Sequence, residues 1–249
     1  MAEAADVPDP GPASDLARQV DAVVADLAAA NDARELALPL CRRVVRVSGS
    51  AIRAVHRHRF EEARSLLAEA GEALREAHVA LAPFPAVAYA GFLHDAEKEY
   101  VEARGMAALV AGAPVPGPGE LQVEPAAWLK GLAEAASELR RHILDRLRTG
   151  DLDAGEILLA AMDEVYGCLI TVDYPDALTG GLRRTVDALR AVLERTRGDV
   201  TTAALQARLQ HSIERRIPAT SAPVSAAGTD SPDGASAAAL EGLPQSLAN

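Results

Sequence analysis

Five carboxylates raise the first chemical question. Asp95, Glu99 and Glu102 stand at i, i+4 and i+7 within the stretch DAEKEYVEA. At about 3.6 residues per turn they share roughly 60° of one helix face. The rest of that helix is apolar, with Val87, Ala90, Phe92, Leu93, Met106 and Leu109. Glu134 and Glu138 form a second pair at i, i+4 in the next long helical run. If the two runs pack side by side, up to four carboxylates converge. Such a set of hard oxygens suits Mg²⁺ or Mn²⁺ rather than Zn²⁺. A divalent cation held there would polarise a phosphodiester and lower the pKa of an attacking water. Without a cation the acids would repel one another and raise some pKa values. A carboxylate-bridged iron pair is not expected, because it calls for Glu-x-x-His on two helices and no acid here has a histidine three residues on.

Other chemistry is thin. Six histidines lie at 56, 58, 78, 94, 142 and 211, without a nucleophilic triad or a glycine-rich phosphate loop. Cys41 and Cys168 sit in apolar helical patterns and are expected to be buried thiols in a reducing compartment. Arg42, Arg46, Arg53 and Arg57 line one helix stripe, with His56 beside it. That stripe suits a solvated face, a set of intersubunit salt bridges, or a ridge touching nucleic-acid phosphates.

The elements that position these residues follow from composition and periodicity. The chain has 249 residues, 49% hydrophobic and only 3% aromatic, and alanine and leucine dominate. This palette predicts an all-α protein, an elongated bundle of about seven antiparallel helices with close contacts through small side chains. The first helix is expected from Ser14, with Leu16, Val20, Val23, Val24 and Leu27 on its apolar face and a break at Asn31-Asp32. Asp32 and Glu35 then form a capping box for a second helix to about His58, with Pro39 as a kink or late start.

Further helices are expected at about 60–81, 86–111, 125–148, 152–171 and 182–197, with a shorter one at 200–216. On the helix at 152–171 the apolar face reads Ile157, Leu158, Ala161, Val165, Cys168 and Leu169. GAPVPGPGE, residues 112–120, reads as a non-helical loop, and Gly150 as a left-handed helix cap. Arg183, Asp187, Arg190, Glu194 and Arg197 alternate in charge along one stripe, as a structural or interfacial face would. Residues 1–13 and 218–249, rich in Ala, Pro, Ser and Gly, are expected to be disordered tails around a helical domain at 14–217.

Net charge is −11, and setting aside the six acids of the two tails leaves −5. Lysine occurs only at 98 and 130, so any phosphate contact would fall mainly to arginine. No 18-residue apolar run and no basic-then-apolar leader is present, and a cytoplasmic protein is expected.

Several blocks, in order, carry a resemblance: RVVRVSGSAIRAVH (43–56), EYVEA (99–103), GLAEAASELRR (131–141), Met162 with Tyr166, DYPDALTGGLRR (173–184) and ERTRGDVT (194–201). Over residues 15–201 the chain resembles the translin family of all-helical RNA- and DNA-binding proteins. One branch of that family, translin itself, binds single-stranded nucleic acid. The other, translin-associated factor X, is a Mg²⁺-dependent endoribonuclease acting on single-stranded RNA.

Carried over residue by residue, the catalytic and metal-binding acids of that branch fall on Glu99, Glu102, Glu134 and Glu138. Glu99 and Glu134 separate the catalytic branch from the binding one, which has apolar residues there. Position 134 departs from the pattern, with Glu where the catalytic branch has Asp. The resemblance also implies a hollow homo-oligomer, hexamer to octamer, with inward-facing sites and with Arg42, Arg46, Arg53, His56 and Arg57 guiding RNA. The function it implies is a Mg²⁺-dependent endoribonuclease on single-stranded RNA. The alternative is a non-catalytic shell that binds single-stranded RNA or DNA, and a third reading is a helical scaffold whose acidic face only makes intersubunit salt bridges.

Overall fold

A computed structural model describes residues 12–216, and side chains over 15–215. The two terminal segments read as disordered tails therefore lie outside the described residues, apart from Pro12 and Ala13, which begin the first helix. Among the described residues the elements are α1 (Pro12–His56), α2 (Phe60–Leu81), α3 (Pro85–Ala88), α4 (Phe92–Ala111), α5 (Pro118–Leu121), α6 (Pro125–Arg148), α7 (Leu152–Leu169), α8 (Asp176–Thr179) and α9 (Leu182–Arg216), with no strand. The expected all-α architecture is what is seen. No helix among them is long and apolar enough to cross a membrane.

Two expected boundaries do not occur. α1 runs unbroken through Asn31-Asp32 and through the exposed Pro39. Asn and Asp cost only a few tenths of a kcal/mol each in a helix interior, too little to break a run so rich in alanine. Pro39 costs about 3 kcal/mol. Its cost is met by the burial of Ala37, Cys41, Val44 and Val47 against Ala70, Ala73, Leu74 and Ala77 of α2. With no break, Asp32 and Glu35 form no capping box. Likewise α9 continues from Leu182 to Arg216 as one helix.

Two further differences concern boundaries of the opposite kind. The helix expected at 86–111 is split, because Gly91 takes φ 99° and resets the start of α4 to Phe92. Pro118, at a permitted first-turn position, starts the single turn α5 inside the stretch expected to be irregular. Gly150, with φ 81°, follows α6 in the left-handed conformation expected of a cap.

On α7 the inward face is Leu158, Met162, Val165 and Leu169, whereas Ile157 and Cys168 are exposed. The expectation of two buried thiols thus holds for Cys41 alone, whose burial pushes its pKa up to about 11. The true stripe steps by four, three and four residues, and Ile157 and Cys168 each sit one residue off it.

The relative direction of helices decides what the site can be. α1 and α2 form an antiparallel hairpin, as do α6 and α7 across the turn at Gly150. α4 and α6, expected antiparallel, instead run in the same direction. Glu97 accepts a hydrogen bond from the Glu124 backbone N–H at 3.4 Å, Lys98 packs on Gly131, and Gly105 packs on Ala135. The connection after Gly112 doubles back along the bundle and is held by the Trp128 indole N–H donating to the Pro116 carbonyl at 2.9 Å. The C-terminal half of α1 follows the same direction. Its Ala51, Ala54 and Val55 pack with Ala103, Met106 and Ala107 of α4 and with Ala135 of α6. Three co-directional helices thus bring their middle turns to one level.

Candidate metal centre

Close backbone approach builds the site. α4 buries Ala96, Tyr100, Val101, Ala103 and Met106, and α6 buries Ala127, Gly131, Leu132, Ala135 and Leu139. A Cβ on Gly131 would stand 2.5 Å from the Lys98 carbonyl oxygen and 2.7 Å from Val101 Cβ. A Cβ on Gly105 would stand 3.1 Å from Ala135 Cβ. With the helices this close, acids on their flanks can share one ion. One oxygen each from Glu99, Glu102 and Glu134 lies within 4.8 Å of the others, and all three residues are half-buried.

These donors fit a small hard cation. Three carboxylates at one point match the oxygen preference of Mg²⁺ and Mn²⁺, and their partial exposure leaves room for the waters such ions retain. The electrostatics agree. Burial first, then Glu99 and Glu134, push the Glu102 pKa up to about 8, with Lys98 opposing and Glu138 adding. Carboxylates this poorly accommodated call for a positive partner.

Lys98 supplies one now. Its Nζ lies 3.0 Å from Glu99 Oε1 and is also paired with Glu134. Burial would lower the Lys98 pKa, but its bonds to Glu134 and Glu99 outweigh that and raise it. In the sequence Lys98 looks like ordinary charge mixing on a solvated helix. Only the helix crossing shows that it points at Glu134.

Glu138 stands apart from the trio. One helical turn beyond Glu134, its Oε2 is 3.1 Å from His56 Nε2, and this bond, followed by the charges of His56 and Arg141, lowers its pKa against the effect of burial. His56 was grouped with the arginine stripe, but it is buried and faces Glu138 rather than solvent. It belongs to a histidine cluster, with its ring 6.5 Å from that of His142, which is in turn 5.1 Å from His58. Burial, with the neighbouring Arg146, His58 and His56, lowers the His142 pKa to about 4. The mutual packing of these three rings had no sequence signal beyond the histidine count.

Arg42, Arg46 and Arg53 are exposed along α1, and Arg57 is exposed in the turn just after it. Among the described residues, Arg53 donates to Ser50 Oγ at 2.9 Å and no member of the stripe pairs with an acid. Salt bridges within the chain therefore do not account for it. Asp95 is exposed and outside the trio, and His94 lies against Gly180 at the end of α8. On α9 the charge stripe pairs only in part, through Arg197 with Asp163 at 2.7 Å and with Glu194 at 3.5 Å.

No protein-family model matches the chain. An uncharacterized protein of Methanocaldococcus jannaschii is 29% identical over 191 residues, which is 76% of this chain and 84% of that protein. The crystal structure of AfC3PO superimposes with a TM-score of 0.71 at 33% identity, covering 77% of this chain and 99% of its own. A structure of AfC3PO in complex with duplex RNA gives 0.72 at 33% identity, covering 77% and 98%. Apo-NeC3PO shares the fold, with a TM-score of 0.63 at 16% identity over 79% of this chain and all of its own. Nearly the whole length of AfC3PO is matched at 33% identity. The chain belongs to the translin family.

Proposed function

We propose that this protein is a Mg²⁺-dependent endoribonuclease that acts on single-stranded RNA inside a homo-oligomer. The observation that carries this is the meeting of Glu99 and Glu102 from α4 with Glu134 from α6 within 4.8 Å. A divalent ion bound there supplies charge neutralisation for a phosphodiester under attack by water. Glu99, Glu102 and Glu134 hold that ion. Glu138, fixed by His56, completes the acidic wall one turn away. That the longer side chain at 134 reaches the two acids of α4 supports this reading.

RNA is the substrate class because AfC3PO, similar over nearly its whole length, has been captured with duplex RNA. Exposed Arg42, Arg46, Arg53 and Arg57, with no acid paired to them among the described residues, suit phosphate contacts, and such contacts would also tolerate single-stranded DNA. Assembly is supported by the outer half of α1. Leu16, Val20, Val23, Val24 and Leu27 form one stripe, each between 52% and 64% exposed, on a segment without packing against the bundle. A long helix with an uncovered apolar stripe needs a partner.

A shell that binds RNA without cutting it is favoured by one observation, the neutralisation of Glu99 and Glu134 by Lys98. Binding and cleavage of labelled single-stranded and duplex RNA, each with Mg²⁺ and with EDTA, separate the two. Cleavage of single strands only with Mg²⁺ supports the nuclease. Binding without cleavage in every condition supports the shell. The absence of binding at low salt overturns both.

A further inference from the structure

We propose that Lys98 is the resident cation of the acidic cluster: its ammonium bridges Glu99 and Glu134 in the metal-free protein and must leave them before a divalent ion is coordinated. This rests on the assignment of Glu99, Glu102 and Glu134 as metal ligands.

Geometry is the first ground. Lys98 and Glu99 are consecutive on α4, and Glu134 is on α6, so one ammonium bonds acids of both helices. It occupies the oxygens a metal would use. Its side chain is only 14% exposed, so it is held among the carboxylates rather than swinging in solvent. A partly desolvated ammonium between two carboxylates and a divalent ion on the same oxygens cannot coexist. Their charges repel at contact distance in a partly dry site, and an oxygen engaged by the ammonium is not free for the ion.

Residue choice is the second ground. Of the chain's 25 basic residues, counting Lys and Arg, lysine stands only at 98 and 130; Lys98 is bonded to acids of α4 and α6, whereas the Lys130 side chain lies against Gly180 beside His94. A compact ammonium on a flexible stem can sit in an ion-sized gap and withdraw, whereas the broad planar guanidinium cannot. The flexible stem makes the withdrawal a rotamer change rather than a helix movement. The outcome is a site whose metal affinity is set by exchange: the acids stay paired and the helices stay apposed until the ion concentration displaces the lysine.

Two measurements on the full-length protein test this. Calorimetric titration with Mn²⁺ compares the unaltered protein, Lys98→Met and Lys130→Met. The expected result is at least tenfold tighter Mn²⁺ binding by Lys98→Met, with Lys130→Met unchanged. Lys98→Met should also melt at a lower temperature than the unaltered protein without metal and recover with Mn²⁺. The second measurement needs no substitution. Brief acylation with an amine-reactive acetyl ester is read by mass spectrometry at the two lysines. Lys98 should be protected without metal and become several-fold more reactive with saturating Mn²⁺, while Lys130 does not change.

Unchanged or weaker Mn²⁺ affinity in Lys98→Met, or Lys98 reactivity that is unchanged or falls with Mn²⁺, overturns the proposal and leaves the metal assignment standing. If neither the unaltered protein nor Lys98→Met binds Mn²⁺, the metal assignment itself fails and takes the proposal with it.

Discussion

Gly131 lies directly beneath Lys98, where a single added methyl would come within 2.5 Å of the Lys98 carbonyl oxygen. The neighbour is helix backbone, not a side chain that can turn away. The contact sets the spacing of α4 and α6, and through it the separation of Glu99 from Glu134.

Gly131→Ala should therefore destabilise the protein by about 3 kcal/mol, at the upper end of overpacking costs, and weaken Mn²⁺ binding. Gly167→Ala is the control. It changes a helical glycine on α7 with open space around it, and should stabilise by up to about 1 kcal/mol. Denaturant unfolding and metal titration check both. Equal effects of the two substitutions would show that the close approach is unimportant.

His142 predicts an acid limit on stability. Its side chain is buried, Nδ1 has no hydrogen-bond partner among the described residues, and its pKa is lowered from 6.5 to about 4. The unfolded chain binds the proton more tightly, so this residue's contribution is complete above pH 6.5 and is lost as pH falls toward 4. At about 1.4 kcal/mol per unit, the loss is about 3 kcal/mol. Unfolding free energies measured from pH 7 to 4 should fall less steeply for His142→Gln than for the unaltered protein.

Metal uptake should release a proton. Glu102, with its pKa raised to about 8 in the metal-free protein, has to ionise to coordinate. Mn²⁺ affinity is expected to rise with pH up to about 8 and then level off. Calorimetry in buffers of different ionisation enthalpy at pH 7 should report close to one proton released per ion. Glu102→Gln should abolish the release.

The outer half of α1 predicts assembly. Replacing Leu16, Val20, Val23 and Leu27 with Ser leaves the buried core from Ala37 onward untouched. The variant should keep its helical circular dichroism, less any contribution from the outer segment, and elute as a smaller species with light-scattering detection. An unchanged mass would show that this stripe is not an assembly surface.

Much of the fold was legible, because α2 (Phe60–Leu81) and α6 (Pro125–Arg148) carry clean periodic faces and clear ends. Boundaries were misplaced where local propensity lost to packing, as at Asn31-Asp32 and Pro39 within α1. The acids Glu99, Glu102 and Glu134 could be named from helix spacing and from a family pattern, and the structure brings them together. Helix direction could not be read, since a connection of this length can reverse the chain or return it. That direction, and the crossing at Gly131, decide that Lys98 meets Glu134 and that Glu138 meets His56. Contacts between residues so far apart in sequence leave no periodic trace in it.

The nuclease assignment rests on Glu99, Glu102 and Glu134 acting together with Mg²⁺. Its most direct test is the cleavage rate of end-labelled single-stranded RNA by the unaltered protein, Glu99→Gln and Glu134→Gln, with Mg²⁺ and with EDTA. The account predicts cleavage by the unaltered protein with Mg²⁺ alone, and a loss of at least ~100-fold in each variant with RNA binding retained. Cleavage that survives EDTA, or survives either substitution, would contradict it.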